Sequence, residues 1–200
     1  MAKCASCGQR KADRLCPGLK ASVCSLCCGT KREKEIFCVD ACEYLKKGKD
    51  YQLGREIDKK ISSDLQAEKA DVFEMDEVAA FVMALEQFFV DQFYDDREIR
   101  DNHISEAVTK IYAFQKGIIS SLEGENKSEE PIFMKFNEVN KRFSTLSGEL
   151  KGRAILRIIK SIRSSSGGAL GSRNYLEMIY SQHTGRGKWA DLFQKLESGG

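Results

Sequence analysis

All eight cysteines of this 200-residue chain lie between positions 4 and 42. So short a segment cannot bury a sizeable hydrophobic core, so bound metal or cross-links must supply much of its folding free energy. Its few candidate core residues are Leu15, Leu19, Val23, Leu26, Ile36, Phe37 and Val39. The cysteines are Cys4, Cys7, Cys16, Cys24, Cys27, Cys28, Cys38 and Cys42.

The spacing of these cysteines favours zinc. Two C-x2-C pairs, Cys4–Cys7 and Cys24–Cys27, are separated by 16 residues, and this spacing is typical of a zinc site. Disulfides would need an oxidising compartment, and no secretory signal is visible at the N-terminus. Iron–sulfur clusters also take four cysteines, but these eight are not arranged as a ferredoxin run. Eight thiolates fit two tetrahedral sites, so we predict two structural Zn²⁺ ions and a reducing, cytoplasmic location.

Two divisions of the ligands are compatible with the spacing. In the interleaved division, which we favour, one zinc takes Cys4, Cys7, Cys24 and one of Cys27 or Cys28. The second zinc then takes Cys16, the other member of that pair, Cys38 and Cys42. In the sequential alternative, one zinc takes Cys4, Cys7, Cys16 and one middle cysteine, and the second C-x2-C pair goes with Cys38 and Cys42. Adjacent cysteines point in different directions, which favours giving Cys27 and Cys28 to different metals.

The order of motifs in this segment resembles the HIT and MYND class of cross-braced double-zinc fingers. The resemblance rests on Cys4-x2-Cys7-Gly8, on Leu15-Cys16-Pro17 and on Val23-Cys24-Ser25-Leu26-x-Cys28. Gly18 and Leu19 stand where the family has a further cysteine, and the segment contains no histidine. The stretch from Cys24 to Leu45 also resembles the opening of a group of small, uncharacterised bacterial proteins. The first resemblance implies an interleaved topology, and the second implies a bacterial, cytoplasmic origin.

The rest of the chain has the apolar periodicity of helices rather than strands. Glu43 to Lys60 is lysine-rich and is predicted as a charged connection, with a helix starting at about Leu53 and running to Lys69. Predicted caps are Asp76 or Asp71, then Asn102 or Ser105, with Pro131 at the first position of a later helix. The flexible linker is predicted at 164–171. The apolar stripes are Ile57, Ile61, Leu65; Val78, Val82, Leu85, Phe89, Phe93; Ile104, Val108, Ile111, Phe114, Ile118, Leu122; Phe133, Phe136, Val139, Phe143, Leu146, Leu150; Ile155, Ile158, Ile159, Ile162; Tyr175, Leu176, Ile179, Tyr180; and Trp189, Leu192, Phe193, Leu196.

These patterns predict a mainly α protein with two parts. Residues 1–45 form a cysteine-rich double zinc-binding module, and residues 46–200 form an all-helical domain, a bundle of four to six helices. No apolar run is long enough to span a membrane, so we expect no membrane partner.

Charge is distributed in three blocks along the chain. Residues 1–60, 61–130 and 131–200 carry net charges of +6, −11 and +7. One interpretation is internal complementarity between acidic and basic helices. The other is a basic surface that contacts nucleic acid. That surface would be built from Lys151, Arg153, Arg157, Lys160, Arg163 and Arg173.

Motifs of catalysis are missing from the sequence. His103 and His183 belong to no HExxH or ExxH pattern, and Gly167–Gly171 lacks the lysine of a phosphate-binding loop. A zinc ion held by four thiolates keeps no open position for water. We therefore expect no enzyme, no catalytic residues and no small-molecule substrate. The expected function is a zinc-binding adaptor or scaffold that recognises another protein. The alternative is a nucleic-acid-binding or regulatory protein that uses the zinc module and residues 151–173.

Overall fold

The computed structural model describes residues 2–68, 75–167, 169 and 171–191. The chain divides into two compact units, Met1–Lys59 and Lys60–Gly200. Among the described residues, seven helices account for most of the structure, and one short hairpin supplies the strands. The mainly α fold class predicted from the sequence is confirmed.

The first unit is built on a small antiparallel hairpin. Strands β1 (Arg14–Cys16) and β2 (Ala21–Val23) pair with Leu15 opposite Ser22. Helix α1 (Ser25–Lys31) follows directly, and α2 (Glu43–Ala67) begins one residue after the last cysteine. Little apolar surface is buried here, because the buried residues of the hairpin and α1 are chiefly cysteines, together with Val23 and Ile36.

Helix α2 starts ten residues before the predicted Leu53, so the prediction of a charged connection over 43–60 is wrong. Lysine and glutamate have good helix propensity, and an ion pair joins Glu43 to Lys47 one turn along. Apolar periodicity is weak in this stretch, which is why it does not resemble a helix in the sequence. The predicted end at Lys69 lies outside the described residues. Residues 46–59 cluster with the first unit rather than with the helical domain.

Five helices of the second unit follow in chain order. They are α3 (Asp76–Phe93), α4 (Asp101–Gln115), α5 (Glu129–Arg142), α6 (Gly148–Ser166) and α7 (Asn174–Thr184). Helix α6 packs on α3, α4 and α7, and its isoleucines are fully buried or nearly so. Within the described ranges, no helix combines the length and the apolar character that crossing a membrane requires.

Two predicted stripes extend past a helix end. Helix α4 stops at Gln115, because Gly117 follows with a φ of +68° that favours glycine, so Ile118 and Leu122 lie beyond it. The stripe from Phe133 to Leu150 belongs to two helices. Ser147 separates them, since its side chain caps α6 by accepting a hydrogen bond from the Leu150 N–H.

The predicted helix starts are also shifted. Asp76 follows the N-cap residue Met75, and Asp71 lies outside the described residues. Neither Asn102 nor Ser105 caps α4, because the His103 Nδ1 accepts the N–H of Arg100 at that helix start. Pro131 is the third residue of α5 rather than the first. At the C-terminus, Leu192, Phe193 and Leu196 of the last stripe lie outside the described residues, as do Gly168 and Leu170 of the predicted linker. The first part of that linker, Ser164–Ser166, is helical.

One of the three buried carboxyl groups in the described part of the helical unit, that of Glu86, lies in the middle of α3. Glu86 of α3 is almost fully enclosed and accepts a hydrogen bond of 2.9 Å from the hydroxyl of the buried Tyr175. Burial raises the pKa of Glu86 to about 7, although the Tyr175 hydrogen bond and the charge of Arg157 oppose the rise. Glu86 therefore binds a proton more tightly in the folded protein than in the unfolded chain.

This linkage predicts a stability that falls as pH rises. Glu86 favours the folded state below its unfolded pKa, and this contribution is lost as pH rises through about 7. Relative to Glu86→Gln, which keeps the acceptor oxygen and cannot ionise, wild type should lose about 2–3 kcal/mol of unfolding free energy between pH 5 and pH 8. Urea denaturation at the two pH values measures the difference.

The matched control is Glu106→Gln, which changes an exposed carboxylate of α4. Its unfolding free energy relative to wild type should be nearly the same at both pH values. If wild type and Glu86→Gln also keep a constant difference, Glu86 does not titrate in the folded protein as argued.

Candidate metal centre

Four cysteine sulfurs converge in the first unit. The Sγ atoms of Cys4, Cys7, Cys24 and Cys27 all lie within 4.8 Å of one another. Zinc–thiolate bonds of about 2.3 Å in a tetrahedron place sulfurs about 3.8 Å apart, so this group fits one zinc ion. The set confirms that these four thiols are close enough to hold one metal, and it takes Cys27 rather than Cys28.

Local backbone geometry brings the first pair into place. The Gly8 N–H donates to the carbonyl oxygen of Cys4 at 2.8 Å, closing a tight turn around Cys7, and Gly8 has a φ of +66°. The N–H of Ala5 donates to the carbonyl oxygen of Ser22 at 2.9 Å, which ties this turn to strand β2. The turn thus delivers two thiols beside the end of the hairpin.

Helix α1 delivers the other pair. Cys24 is its N-cap, and its Sγ accepts a hydrogen bond of 3.4 Å from the N–H of Cys27. Because Cys24 caps the helix and Cys27 lies in its first turn, their side chains share one side of the helix start. The C-x2-C spacing is therefore realised here as a helix N-terminus.

The pKa values of two of these thiols are shifted in opposite directions. Burial raises the pKa of Cys4, but hydrogen bonds from the backbone of Cys24, Cys7 and Ser6 outweigh it and lower the pKa to about 6. The side chain of Cys24 and burial raise the pKa of Cys27 to about 12. The four cysteines are close enough to hold one metal ion, whose positive charge would offset that of the thiolates.

The other four cysteines line one small pocket. These are Cys16, Cys28, Cys38 and Cys42, and the remaining walls include Arg14, Arg32, Val23, Ile36, Tyr44 and Leu45. Their sulfurs lie farther apart than those of the first set, which are all within 4.8 Å of one another. Cys28 is not a member of the first set, although its neighbour Cys27 is. The interleaved division also assigns these two residues to different sets. The first set lacks Cys16, which the sequential division requires.

Several apolar residues predicted as core of the module lie on its surface instead. Only Val23 and Ile36 of the candidates are buried, and Val39 is half-buried. The others are exposed to 71% at Leu15, 41% at Leu19, 49% at Leu26 and 83% at Phe37. Cysteines fill the positions that a core would occupy, so these side chains are left outside.

Two basic residues of α6, Lys151 and Arg153, are engaged within the helical unit. Lys151 is buried, and its Nζ donates to the carbonyl oxygen of Asn140 at 3.1 Å. Arg153 donates from Nε to both carboxylate oxygens of Glu68 at 3.0 Å, and its Nη2 also contacts that group. These two cations serve packing and internal pairing rather than an exposed surface.

The remaining basic residues of the predicted nucleic-acid surface also differ in their contacts and exposure. Arg173 donates through Nη1 to the carbonyl oxygens of Asp96 and Ile99, both at 2.6 Å. Arg157 contacts Ser161, while Lys160 and Arg163 are exposed. The six residues therefore do not present one common cationic face. The pairing of Arg153 with Glu68 instead joins the basic and acidic blocks of the sequence.

Comparison with models of protein families, with curated proteins and with solved structures found no match to this chain. The chemistry of the site therefore has to be argued from its own residues. Arg32, which the sequence analysis did not single out, lines the pocket of the second set of thiols, and Gly48 lies against the Arg32 guanidinium. Arg32 lies four residues after Cys28, which is the helical spacing that places the two side chains together.

The positions of Cys27 and Cys28 predict separate losses of metal. Serine is a poor zinc ligand at neutral pH, so Cys27→Ser should empty the site of Cys4, Cys7 and Cys24. Cys28→Ser should weaken only a metal bound by the second set. Cobalt substitution reports this as a partial loss of thiolate-to-metal absorption, with the other site still filled.

A control is Ser25→Ala, which changes an exposed residue of α1 that supplies no thiol. It should keep the full cobalt spectrum. If Cys27→Ser leaves the spectrum and metal content unchanged, the four converging thiols are not the ligands of a metal.

Proposed function

We propose that this protein is a non-catalytic zinc-binding adaptor that recognises another protein through its N-terminal unit. Zinc bound by four thiolates would cross-link the hairpin and α1 and supply folding free energy in place of a core. The convergence of Cys4, Cys7, Cys24 and Cys27 supports the first zinc. Such a unit offers a rigid surface without spending its apolar side chains on an interior.

The proposal includes a second zinc ion, held by Cys16, Cys28, Cys38 and Cys42. All four line one pocket, and none of them belongs to the first set. Val23, Ile36 and Leu45 wall that pocket, so it is partly shielded from water. Binding there would draw the sulfurs together and join β1, α1 and the start of α2.

Saturated thiolate sites favour a structural role. Each zinc would have four protein ligands and no open position for a water nucleophile. Keeping eight thiolates reduced requires a reducing compartment, which supports a cytoplasmic location. No residue of the unit is then left with an evident catalytic assignment.

The observation that carries the adaptor role is the apolar surface of the unit, formed by Leu15, Leu19 and Phe37. Phe37 and Leu15 are among the most exposed large apolar side chains in the described part of the chain. The turn of the hairpin lies against the backbone of Phe37, since a Cβ atom at Gly18 would be 1.9 Å from the Phe37 carbonyl oxygen. Exposed apolar groups held together on a rigid frame are typical of protein-binding surfaces.

Crosslinking in cells tests this surface. With a benzophenone amino acid in place of Phe37, we expect discrete protein adducts after irradiation, because the ring is exposed. The same probe in place of Tyr51, an exposed aromatic residue of α2, should give few adducts. Adding Leu19→Ser, which changes an exposed leucine outside the lining of the pocket, should reduce the adducts at position 37 while the zinc content stays the same.

The nucleic-acid alternative is tested on the same purified protein. A labelled 20-mer, as duplex and as single strand, should bind weakly if the surface serves a protein partner. Tight binding that falls steeply between 50 and 200 mM salt would favour the alternative, because phosphate contacts release counterions. Equal crosslinking at positions 37 and 51 would overturn the proposed surface.

A further inference from the structure

Arg14 and Arg32 both line the pocket of the second set of thiols, and Arg32 also contacts one of the sulfurs. Arg32 immediately follows α1 and is half-buried. Its guanidinium Nη2 lies 3.8 Å from the Sγ of Cys28, within range of an N–H to sulfur hydrogen bond. Arg32 also lines the pocket that Cys16, Cys38 and Cys42 share with Cys28. The positive group therefore faces the thiols rather than open solvent.

Helix α2 leaves space for this arginine. A Cβ atom at Gly48 would lie 1.5 Å from the Arg32 Nη1 and 2.8 Å from its Cζ. Glycine is a poor helix former, yet Gly48 lies within α2 where the guanidinium passes. Gly54, in the same helix, has nothing within 4 Å of its Cβ position. An alanine at position 48 would therefore displace the Arg32 guanidinium, whereas an alanine at position 54 would displace nothing.

We propose that Arg32 is an outer-sphere donor to the second zinc, held in place by the gap at Gly48. The inference rests on the proposed second zinc site. Four thiolates and one Zn²⁺ leave a net charge of −2, and a guanidinium beside one sulfur offsets part of it. The hydrogen bond also withdraws electron density from Cys28, which makes that sulfur less nucleophilic. Arg32 thus sets the affinity of the metal and the reactivity of one ligand without touching the ion.

The first site is stabilised by different groups. Backbone N–H groups serve its sulfurs, as in the hydrogen bond from Cys27 to Cys24 and in those that lower the pKa of Cys4. Arg32 contacts Cys28, which is not a member of that set. A change at Arg32 should therefore affect one of the two metals and spare the other.

Competition with a chromophoric zinc chelator tests the inference on the full chain. Arg32→Gln should weaken one of two zinc ions about 10- to 100-fold, the usual effect of losing an outer-sphere partner. Arg32→Lys should retain part of the affinity. Gly48→Ala keeps every charge but displaces the guanidinium, so it should resemble Arg32→Gln. Gly54→Ala adds the same methyl group to α2 away from the pocket, and Lys34→Gln removes a positive charge away from the pocket. Both variants should have the zinc affinities of wild type.

Alkylation by iodoacetamide, mapped by mass spectrometry, identifies the affected sulfur. In the zinc-loaded protein, Arg32→Gln should raise the alkylation rate of Cys28 several-fold and leave that of Cys27 unchanged. A uniform rise at all eight cysteines would mean that the variant unfolds the unit, and would overturn the specific role.

Two outcomes separate this inference from the proposed function. If wild type binds two zinc ions and Arg32→Gln leaves both affinities within about twofold, the role of Arg32 is wrong while the two-zinc module stands. If wild type binds only one zinc, the second site is wrong, and the role of Arg32 is wrong with it.

Discussion

The convergence of Cys4, Cys7, Cys24 and Cys27 on one point is the constraint on which the N-terminal unit depends. Close thiols repel one another once ionised and need a cation, which is the physical reason to expect a metal there. The buried interior of the hairpin and α1 consists mainly of cysteine, with Val23 and Ile36 beside it. Metal–sulfur bonds, as proposed, would take the part that apolar packing takes in the helical unit.

Helix α1 connects the two sets of thiols. It begins at the Cys24 cap, presents Cys27 to the first set and Cys28 to the pocket of the second, and ends next to Arg32. This seven-residue helix thus fixes the positions of cysteines from both proposed metal sites and of the arginine beside one site. Because the interior is made mainly of cysteines, Leu15 and Phe37 lie on the exterior. This links the proposed metal sites to the proposed recognition of a protein.

Parts of this arrangement could be predicted from the sequence because they depend on local spacing. The pairs Cys4–Cys7 and Cys24–Cys27 each fit a single turn, so their convergence follows from the motif. The apolar stripes of α3 and α6 likewise follow from helical periodicity. The choice between Cys27 and Cys28 could not be predicted, since it depends on how α1 is oriented against the hairpin.

Other features resisted prediction for physical reasons. An apolar side chain in a sequence is expected in a core, but Phe37 is exposed because cysteines occupy the interior of its unit. The start of α2 has good helix formers but few apolar positions, so it resembles a charged connection. The basic residues of α6 form a stripe in the sequence, yet Lys151 and Arg153 are engaged by Asn140 and Glu68 in the fold. Tertiary contacts decided the first and third cases, and local helix propensity decided the second.

Hydrogen exchange with and without a strong zinc chelator, under reducing conditions, tests most directly whether metal holds the N-terminal unit. We expect amides of residues 2–42 to lose protection on chelation, because almost no apolar core remains there. Amides of α3 to α7 should keep theirs, because those helices bury their own apolar faces. Unchanged protection in residues 2–42 after complete removal of metal would contradict the account, because the hairpin and α1 would then be held by something other than metal–thiolate bonds.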